Sequence, residues 1–549
     1  MSSRAQPRSR SRPGQVLGRS KRALLVRADW WKWAFLPLGL LYIALLATHL
    51  GHMLVNVYGN ADASSAPVLG EFYADRAGGK VILANLPWFS TLIFELATKW
   101  LPAHRQVWEI GPYLFALLSI ALMAWAAWRV AGRWAATLTA TILLCSGPVV
   151  LELMLWLNDH TTTWYSLALL AAFVVLMAER SSTLGWWPLA TIALFVGVIV
   201  GINVASDKGL LVSGLLPLLF AGTATWIVSP NPGTRKTMIL CVAAAAVAGV
   251  STISTTAIMH SGGVFLAYYE LKFATLEAIS TNVKIWWQCI VLLGNGNFSG
   301  EAITVTTTLA FACAAASVGM VLLIPRYTWR YIDNRRSGEQ PIDERLSVYM
   351  MFWAASLVCL SIGFIFSSVP VDLESTRYLV GLVYAVAAML PLLARHGVVA
   401  RAIVVAGTLV FLLTSIKALD HSETIQAPPV QGPSPRVAEA VARTAESMHA
   451  TRGFAPYWDA APITWRSNFR VQVAPFVGCG HQPTGLCPGA LNYLEAWYRP
   501  GLFRTFLLTD SSGHPWTPPT ALQREAVATY RFGTVTMYIY DHDIVTSLL

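Results

Sequence analysis

The sequence predicts a polytopic α-helical membrane protein of about 11 transmembrane helices, followed by a small C-terminal α/β domain. Hydrophobic residues make up 55% of the 549 positions and charged residues only 12%, whereas a typical soluble domain is about 25% charged. After residue 417, the long apolar segments give way to short alternating ones. The composition excludes intrinsic disorder, collagen-like repeats and a purely soluble enzyme as the main content.

Each predicted span is an apolar segment long enough, or nearly so, to cross a hydrocarbon layer of about 30 Å. The segments are 33–56, 110–128, 135–156, 164–178, 186–204, 209–228, 238–259, 302–324, 346–367, 379–394 and 402–417. Two further apolar stretches are predicted to lie at the membrane interface. The stretch 82–97 is interrupted by polar and charged residues, and 285–294 is too short to cross.

Basic residues predict the orientation of these spans. Residues 1–32 contain nine Lys or Arg and one acidic residue, which favours a cytoplasmic tail attracted to anionic lipid. The net charge of +10 is therefore concentrated at a membrane surface, and no nucleic acid is expected as a partner. Because the first apolar segment lacks a cleavage site, we expect an uncleaved signal anchor in the plasma membrane.

The chain is predicted to have three regions: the tail 1–32, a transmembrane domain 33–417 and an extracytoplasmic soluble domain 418–549. The transmembrane domain has two long outer loops, 57–109 and 260–301. In the soluble domain, a helix is predicted over 436–450 and strands over 470–477, 504–510 and 534–543.

The soluble domain contains one pair of cysteines, Cys479 and Cys487. An oxidising outer compartment favours a disulfide across the short loop between them, with two free thiols as the alternative. The aromatic segment 454–476 is predicted to form the core of the domain, with sugar binding as the alternative.

Polar residues next to membrane spans are candidates for function because a membrane makes them energetically expensive. Asp62 follows the first span, with Glu71 nearby. A carboxylate in such a place can act as a general base, and the alternative is a solvated loop acid. Arg377 and Tyr378 begin the tenth span, where a guanidinium suits a phosphate group. The alternative is a snorkelling arginine beside an aromatic residue.

Two short outer turns carry the remaining candidates. Asp159 and His160 lie between the third and fourth spans, and Asp207 and Lys208 lie between the fifth and sixth. Each turn is either part of a binding site or an ordinary polar turn beside interfacial tryptophans. All these candidates fall at outer connections, so they are predicted to converge on one cavity. No convincing metal-ligand set is present, although Mg²⁺ or Mn²⁺ stays open as a cofactor.

The order of these features resembles that of the GT-C superfamily of polytopic glycosyltransferases, in particular actinobacterial relatives of the protein O-mannosyltransferase and arabinosyl/mannosyltransferase groups. The matching sequences along the chain are NADASSAPVL (60–69), NDHTTTW (158–164), SDKGLL (206–211) and STRYLVG (375–381). Many members have paired acids in the first loop. Asp62 has no adjacent acid, and Glu71 or Asp75 would be the second.

The resemblance implies an inverting transferase that moves a sugar, mannose or arabinose, from a polyprenyl-phosphate donor to a glycan, lipid or protein acceptor. Asp62 would be the general base. Glu71, Asp159, His160, Asp207, Lys208, Arg377 and Tyr378 would contact the substrates. Two alternatives from other classes are a lipid-linked sugar flippase, with charges at mid-membrane, and a non-catalytic scaffold for envelope assembly.

Overall fold

The computed structural model describes residues 28–57, 59–73, 78–83, 104–155, 159–267, 272–298, 300–336, 343–420, 432–478, 486–489, 491–512 and 516–548, with a few positions between 91 and 100. The tail up to residue 27 and most of the predicted interfacial stretch 82–97 lie outside these residues. Asp75, the alternative second acid of the first loop, lies outside them as well.

Fourteen helices are described before the C-terminal domain. In chain order they are α1 (Phe35–Val57), α2 (Ala61–Phe72), α3 (His104–Ala131), α4 (Arg133–Leu144), α5 (Pro148–Leu155), α6 (Asp159–Arg180), α7 (Trp186–Ser206), α8 (Leu216–Val228, after a π-helical turn Leu211–Leu215), α9 (Pro232–Ser261), α10 (Leu276–Leu293), α11 (Val305–Arg336), α12 (Glu344–Ile365), α13 (Val380–Leu393) and α14 (Val398–Asp420). Ten segments of the described chain are long and apolar enough to cross a membrane. They comprise all of these helices except α2, α4, α5 and α10, together with the adjoining turns. Each overlaps one predicted span, which confirms the polytopic class.

The predicted third span, 135–156, corresponds to two helices, α4 and α5. The chain bends by 85° between α4 and α5, so the pair is either a broken span or a re-entrant loop. Pro148 lacks the N–H that would continue the helix. A side chain at Gly147 would collide with Asn295, and the Tyr42 hydroxyl donates to the Ser146 carbonyl at the same break. Packing against distant residues therefore fixes the bend.

Nine strands and four more helices complete the described elements. They are β1 (Val81–Leu83), β2 (Val264–Leu266), α15 (Pro435–Ser447), β3 (Arg452–Pro456), α16 (Tyr457–Arg466), β4 (Gln472–Gly478), β5 (Leu486–Pro488), β6 (Tyr493–Leu494), β7 (Thr505–Asp510), α17 (Thr520–Glu525), β8 (Ala528–Phe532), β9 (Val535–Tyr540) and α18 (Val545–Leu548). The predicted helix and all three predicted strands of this region are confirmed.

The C-terminal domain contains a six-stranded sheet in the order β5-β4-β3-β7-β9-β8. Its central strand β3 is parallel to both neighbours, β4 and β7, and the outer pairings are antiparallel. The helices α15 and α16 bury apolar side chains against the sheet in a core of their own. Trp465 is fully buried, in agreement with the core role predicted for its segment. The predicted α/β class of this region is confirmed.

A second, three-stranded sheet connects this domain to the two long loops of the membrane domain. β1, from the first loop, is parallel to β2 from the second loop and antiparallel to β6 from the C-terminal domain. The Lys80 amide also donates to the Glu495 carboxylate at 2.8 Å. The end of the helix bundle that carries these contacts is called the domain end. The sequence analysis had placed an interfacial segment, and no strand, near residue 82.

The cysteines divide between the two domains. Cys145, Cys241, Cys289, Cys313 and Cys359 are free thiols in or beside the membrane helices, and four of them are buried. Cys487 lies in β5, where it pairs in register with Val477 of β4. Cys479 lies outside the described residues, so the Cys479–Cys487 disulfide stays a prediction.

Candidate active site

Asp62 lies in the first turn of α2, at the domain end of the bundle. The side chain of Asn60 caps this helix by accepting from the Asp62 amide at 2.8 Å. A negative charge in a first helical turn is stabilised by the helix dipole. α2 is buried from Ala61 to Gly70, because it packs against the C-terminal helix α16 and its Gly70 lies close to the Trp108 ring of α3. Asp62 is consequently only 7% exposed.

Arg377 faces Asp62 from a distant part of the chain. It lies in a 3₁₀ turn, Leu373–Leu379, that leads directly into α13, and its Nη1 lies 3.4 Å from Asp62 Oδ2. The guanidinium also lies over the ring of Tyr378, 5.3 Å from its centroid. The helix α10 packs against this turn. Asn282 of α10 donates to the carbonyls of Ile365 and Ser367 just before it. The position of Arg377 is thereby supported from the second long loop.

The C-terminal domain contributes a third side chain. The hydroxyl of Tyr457 donates to Asp62 Oδ1 at 2.6 Å, and Asn492 Nδ2 donates to the Tyr457 oxygen at 2.9 Å. Burial, together with the adjacent Asp62 carboxylate, raises the pKa of Tyr457 well above its ordinary value of 10. Tyr457 follows β3 directly, at the carboxyl edge of the parallel strands, where α/β domains commonly place functional groups.

Sequence reasoning missed Tyr457 and Asn492. Tyr457 lies inside the segment 454–476, whose aromatic content was noted, but the pattern there is that of a domain core. Asn492 has a positive φ of 51°, and asparagine is one of the few side chains that tolerate this conformation. No local signal indicates that these two residues reach Asp62, because the contact depends on how the domain docks.

A second polar cluster forms where the two short turns meet. The Thr163 hydroxyl of α6 donates to Asp207 Oδ2, and Asp207 Oδ1 accepts from the Gly209 amide at 2.8 Å. Asp207 is 6% exposed, and the next residue, Lys208, is exposed at the surface. Asp159 and His160 occupy the first turn of α6, but their side chains lie outside the described part of the structure.

Packing between α6 and α13 connects the two clusters. A Cβ added at Gly381, four residues after Arg377, would lie 3.3 Å from Trp164, the residue after Thr163. The Trp164 ring also stacks on Tyr384 with 6.5 Å between centroids. Helix packing therefore joins α6, which carries Thr163, to α13, which follows Arg377, and the convergence of both turns on one cavity stays a prediction. The pair in direct contact is Asp62 and Arg377.

Glu71 does not join this cluster. It lies nine residues after Asp62 on α2, which corresponds to about 13 Å along the axis and the opposite face of the helix. No group of three or more His, Cys, Asp or Glu side chains within the described residues is arranged to hold a metal ion. The arrangement thus offers a buried carboxylate, a fixed cation beside it, and a neutral hydroxyl donor. Such a set can accept a proton and stabilise an anion.

Comparison with known proteins gives information on the fold. No protein-family model matches the chain, and no curated protein matches its sequence. Among solved structures, ArnT from Cupriavidus metallidurans bound to undecaprenyl phosphate matches 90% of this chain and 97% of its own, with TM-score 0.51 and 10% identity. Its apo state gives 0.45 and 12% over the same shares.

The archaeal oligosaccharyltransferase AglB from Archaeoglobus fulgidus, in complex with an inhibitory peptide and a dolichol-phosphate, gives a TM-score of 0.41 at 11% identity. That match covers 81% of this chain and 64% of AglB. The chain therefore shares the GT-C-like fold of ArnT, and at 10% identity the likeness concerns the fold alone.

Proposed function

We propose that this chain is an inverting glycosyltransferase that takes a sugar from a polyprenyl-phosphate donor and transfers it to an acceptor hydroxyl outside the cell membrane. The observation that carries the proposal is the Asp62–Arg377 pair, with 3.4 Å between the two charged groups at the domain end of the bundle. A general base and a phosphate-binding cation are the two groups that such a transfer requires.

On the donor side, Arg377 binds the phosphate that leaves the sugar. Its guanidinium keeps its charge at any working pH and matches phosphate geometry. The fold of ArnT supports this assignment, because ArnT has been solved with undecaprenyl phosphate bound. Lys208, exposed at the neighbouring turn, adds positive charge for the same phosphate. Tyr378 keeps the guanidinium in place through its ring.

On the acceptor side, Asp62 takes the proton of the attacking hydroxyl. The acceptor oxygen forms a bond to the anomeric carbon while the bond from that carbon to the phosphate oxygen breaks. Polyprenyl phosphate leaves with the bonding electrons, on the face opposite to the attack, so the anomeric configuration inverts. The sugar therefore has to enter between Asp62 and Arg377, and the two side chains separate when it binds. Asp159, His160 and Asp207 would contact the sugar hydroxyls from the neighbouring turns.

The orientation follows from charge. The positive-inside rule places the N-terminus in the cytoplasm and the C-terminal domain outside. Nucleotide sugars are cytoplasmic, so a site at the domain end would use a lipid-linked donor in the plasma membrane. Mannose or arabinose is the sugar that the resemblance favours, and a glycan, a lipid or a protein is the acceptor.

The test is a transfer assay with the full-length protein in lipid nanodiscs. Labelled polyprenyl-phosphate mannose and polyprenyl-phosphate arabinose are supplied with a cell-envelope extract from a deletion strain, and nucleotide-linked sugars serve as the matched control. We expect transfer from one lipid-linked donor, with inverted configuration, and none from the nucleotide sugars.

Transfer from the nucleotide sugars would contradict the proposed donor. The same protein in sealed proteoliposomes separates the alternative classes. Movement of the labelled donor across the bilayer without product would indicate a flippase. If the deletion strain lacks a glycan but no lipid-linked donor gives product, the proposal is wrong and a scaffold role is favoured.

A further inference from the structure

We infer that the C-terminal domain takes a direct part in the reaction, with Tyr457 as a positioning residue for Asp62 and Asn492 holding Tyr457 in place. This inference rests on the proposed function, in which Asp62 accepts the proton of the acceptor. It gives the C-terminal domain, which the sequence predicts to be a separate soluble unit, a role in positioning the Asp62 carboxylate.

The directions of the hydrogen bonds at the Tyr457 hydroxyl show where its proton lies. Asn492 Nδ2 can only donate, so the Tyr457 oxygen is the acceptor in their 2.9 Å contact. Tyr457 has one proton, and its 2.6 Å contact with Asp62 Oδ1 uses it. Ser65 of α2 lines the same small cavity as Tyr457. The tyrosine proton is therefore directed at the carboxylate, because Asn492 approaches the same oxygen as a donor.

Tyr457 acts as a donor and not as the base. Burial raises its pKa well above 10, and the negative charge of Asp62 raises it further. The hydroxyl thus stays protonated throughout the range in which such an enzyme works. A hydrogen bond from a neutral donor to a carboxylate stabilises the ionised form, which is the form that can accept a proton.

The geometry fixes the orientation of the Asp62 carboxylate. Among the described residues, two charged or titratable groups lie within bonding distance of it: Arg377 at Oδ2 and Tyr457 at Oδ1. Without Tyr457, the carboxylate is free to turn and present both oxygens to the guanidinium, the geometry that carboxylates favour with arginine. A carboxylate turned in this way is less well placed to receive the acceptor proton.

The domain holds Tyr457 firmly enough for this role. Tyr457 is the first residue of α16, which packs against α2, the helix that carries Asp62. Asn492 immediately precedes β6, which pairs with β1 of the membrane domain. A small cavity lies between the two domains here, and Ser65, Tyr457, Asn492 and Trp497 are among the residues that line it. It has room for about one water.

The experiment compares Tyr457→Phe with Tyr498→Phe in the full-length protein. Tyr498 is a matched control because it is partly buried in the same domain, as Tyr457 is, its hydroxyl donates to the Pro475 carbonyl and accepts from the Gly489 amide, and it does not contact Asp62. Loss of one hydrogen bond to a charged group predicts a fall in kcat of about 10–100-fold for Tyr457→Phe. The acceptor KM should change less than kcat.

The pH profile separates positioning from mere structural support. Without the Tyr457 donor, the acid limb of the kcat/KM profile should move to higher pH by about one unit. Asn492→Ala should move it in the same direction by less, and Tyr498→Phe should leave it unchanged. A Tyr457→Phe enzyme with the wild-type profile, or a Tyr498→Phe enzyme with the same shift, would overturn the inference.

A second measurement does not depend on activity. Thermal unfolding of the wild type, Asp62→Asn, Tyr457→Phe and the double variant forms a double-mutant cycle. We expect non-additive shifts in Tm, because Asp62 and Tyr457 form a hydrogen bond with each other across the domain boundary. Additive shifts would overturn the inference. If no donor gives transfer yet the shifts are non-additive, the proposed function fails and the cross-domain contact stands.

Discussion

Asp62 and Asp207 are two carboxylates of the same region with different surroundings. Both are nearly buried, at 7% and 6% exposure. The partners of Asp62 are a guanidinium and a phenol that lie 315 and 395 residues away in the chain. Asp207 accepts from a threonine hydroxyl and from the amide of its own turn. At Asp62 the fold brings together a cation and a hydroxyl donor from two distant segments, and this arrangement, more than burial, makes Asp62 the candidate base.

The largest expected effect is on turnover in Asp62→Asn. The amide keeps the shape of the side chain but cannot accept the acceptor proton, so transfer should fall by about 10²–10⁴-fold. Turnover is measured in nanodiscs with saturating donor, and circular dichroism checks the fold. Asp459→Asn is the matched control, because it makes the same substitution at another buried acid, one that has no part in the proposed mechanism. Undiminished transfer in Asp62→Asn would remove this residue from the mechanism.

The comparison predicts a structural effect at Asp207. In Asp207→Ala, the Thr163 hydroxyl and the Gly209 amide lose this carboxylate as acceptor, which should cost about 1–3 kcal/mol of stability. Asp207→Asn keeps an acceptor oxygen, so its kcat should stay within about threefold of the wild type, while loss of the proposed contact to a sugar hydroxyl should raise KM. Thermal unfolding and transfer are measured on both variants. A loss of turnover in Asp207→Asn equal to that in Asp62→Asn would place both acids in the reaction.

A third buried acid, Asp459, extends the comparison because it should make the stability of the fold depend on pH. It is 1% exposed, and its Oδ1 has no hydrogen-bond partner among the described residues. Burial, and next the nearby Asp510, raises its pKa to about 8. In the unfolded chain this acid loses its proton near pH 4. The folded state therefore binds one more proton between about pH 4 and 8.

The contribution of Asp459 to the free energy of unfolding should accordingly be greatest below pH 4. It should fall as the pH rises to about 8. The slope for one proton is about 1.4 kcal/mol per pH unit. Asp459→Asn should flatten this part of the profile and raise Tm at pH 8, with transfer little changed. Unfolding is followed by tryptophan fluorescence between pH 5 and 9. An unchanged slope in the variant would contradict the assignment.

Hydropathy predicted the spans well because burial in a membrane depends on local composition. Hydropathy did not indicate the bend inside 135–156, where a side chain at Gly147 would collide with Asn295 from another part of the chain. The strands β1, β2 and β6 were missed because two- or three-residue strands from three distant segments have no periodicity to detect.

The residues of the candidate site likewise include some that the sequence could reveal and some that it could not. Asp62 and Arg377 were detectable because a charged side chain next to a span is unusual in itself. Their contact was expected only as a consequence of topology. Tyr457 and Asn492 carry no such mark, because each lies in an ordinary soluble domain and acquires its role through docking. Glu71 lies nine residues after Asp62, on the opposite face of α2, and its role as a second acid stays a prediction.

Binding of polyprenyl phosphate, without any sugar, tests the central claim most directly. The claim is that Arg377 binds the departing phosphate and Asp62 serves the acceptor. The account predicts that Arg377→Gln weakens binding to nanodisc-embedded protein by about 10–100-fold, the effect expected for a charge-assisted phosphate contact. Asp62→Asn should bind as well as the wild type or better. Equal loss in both variants, or no loss in Arg377→Gln, would contradict the account.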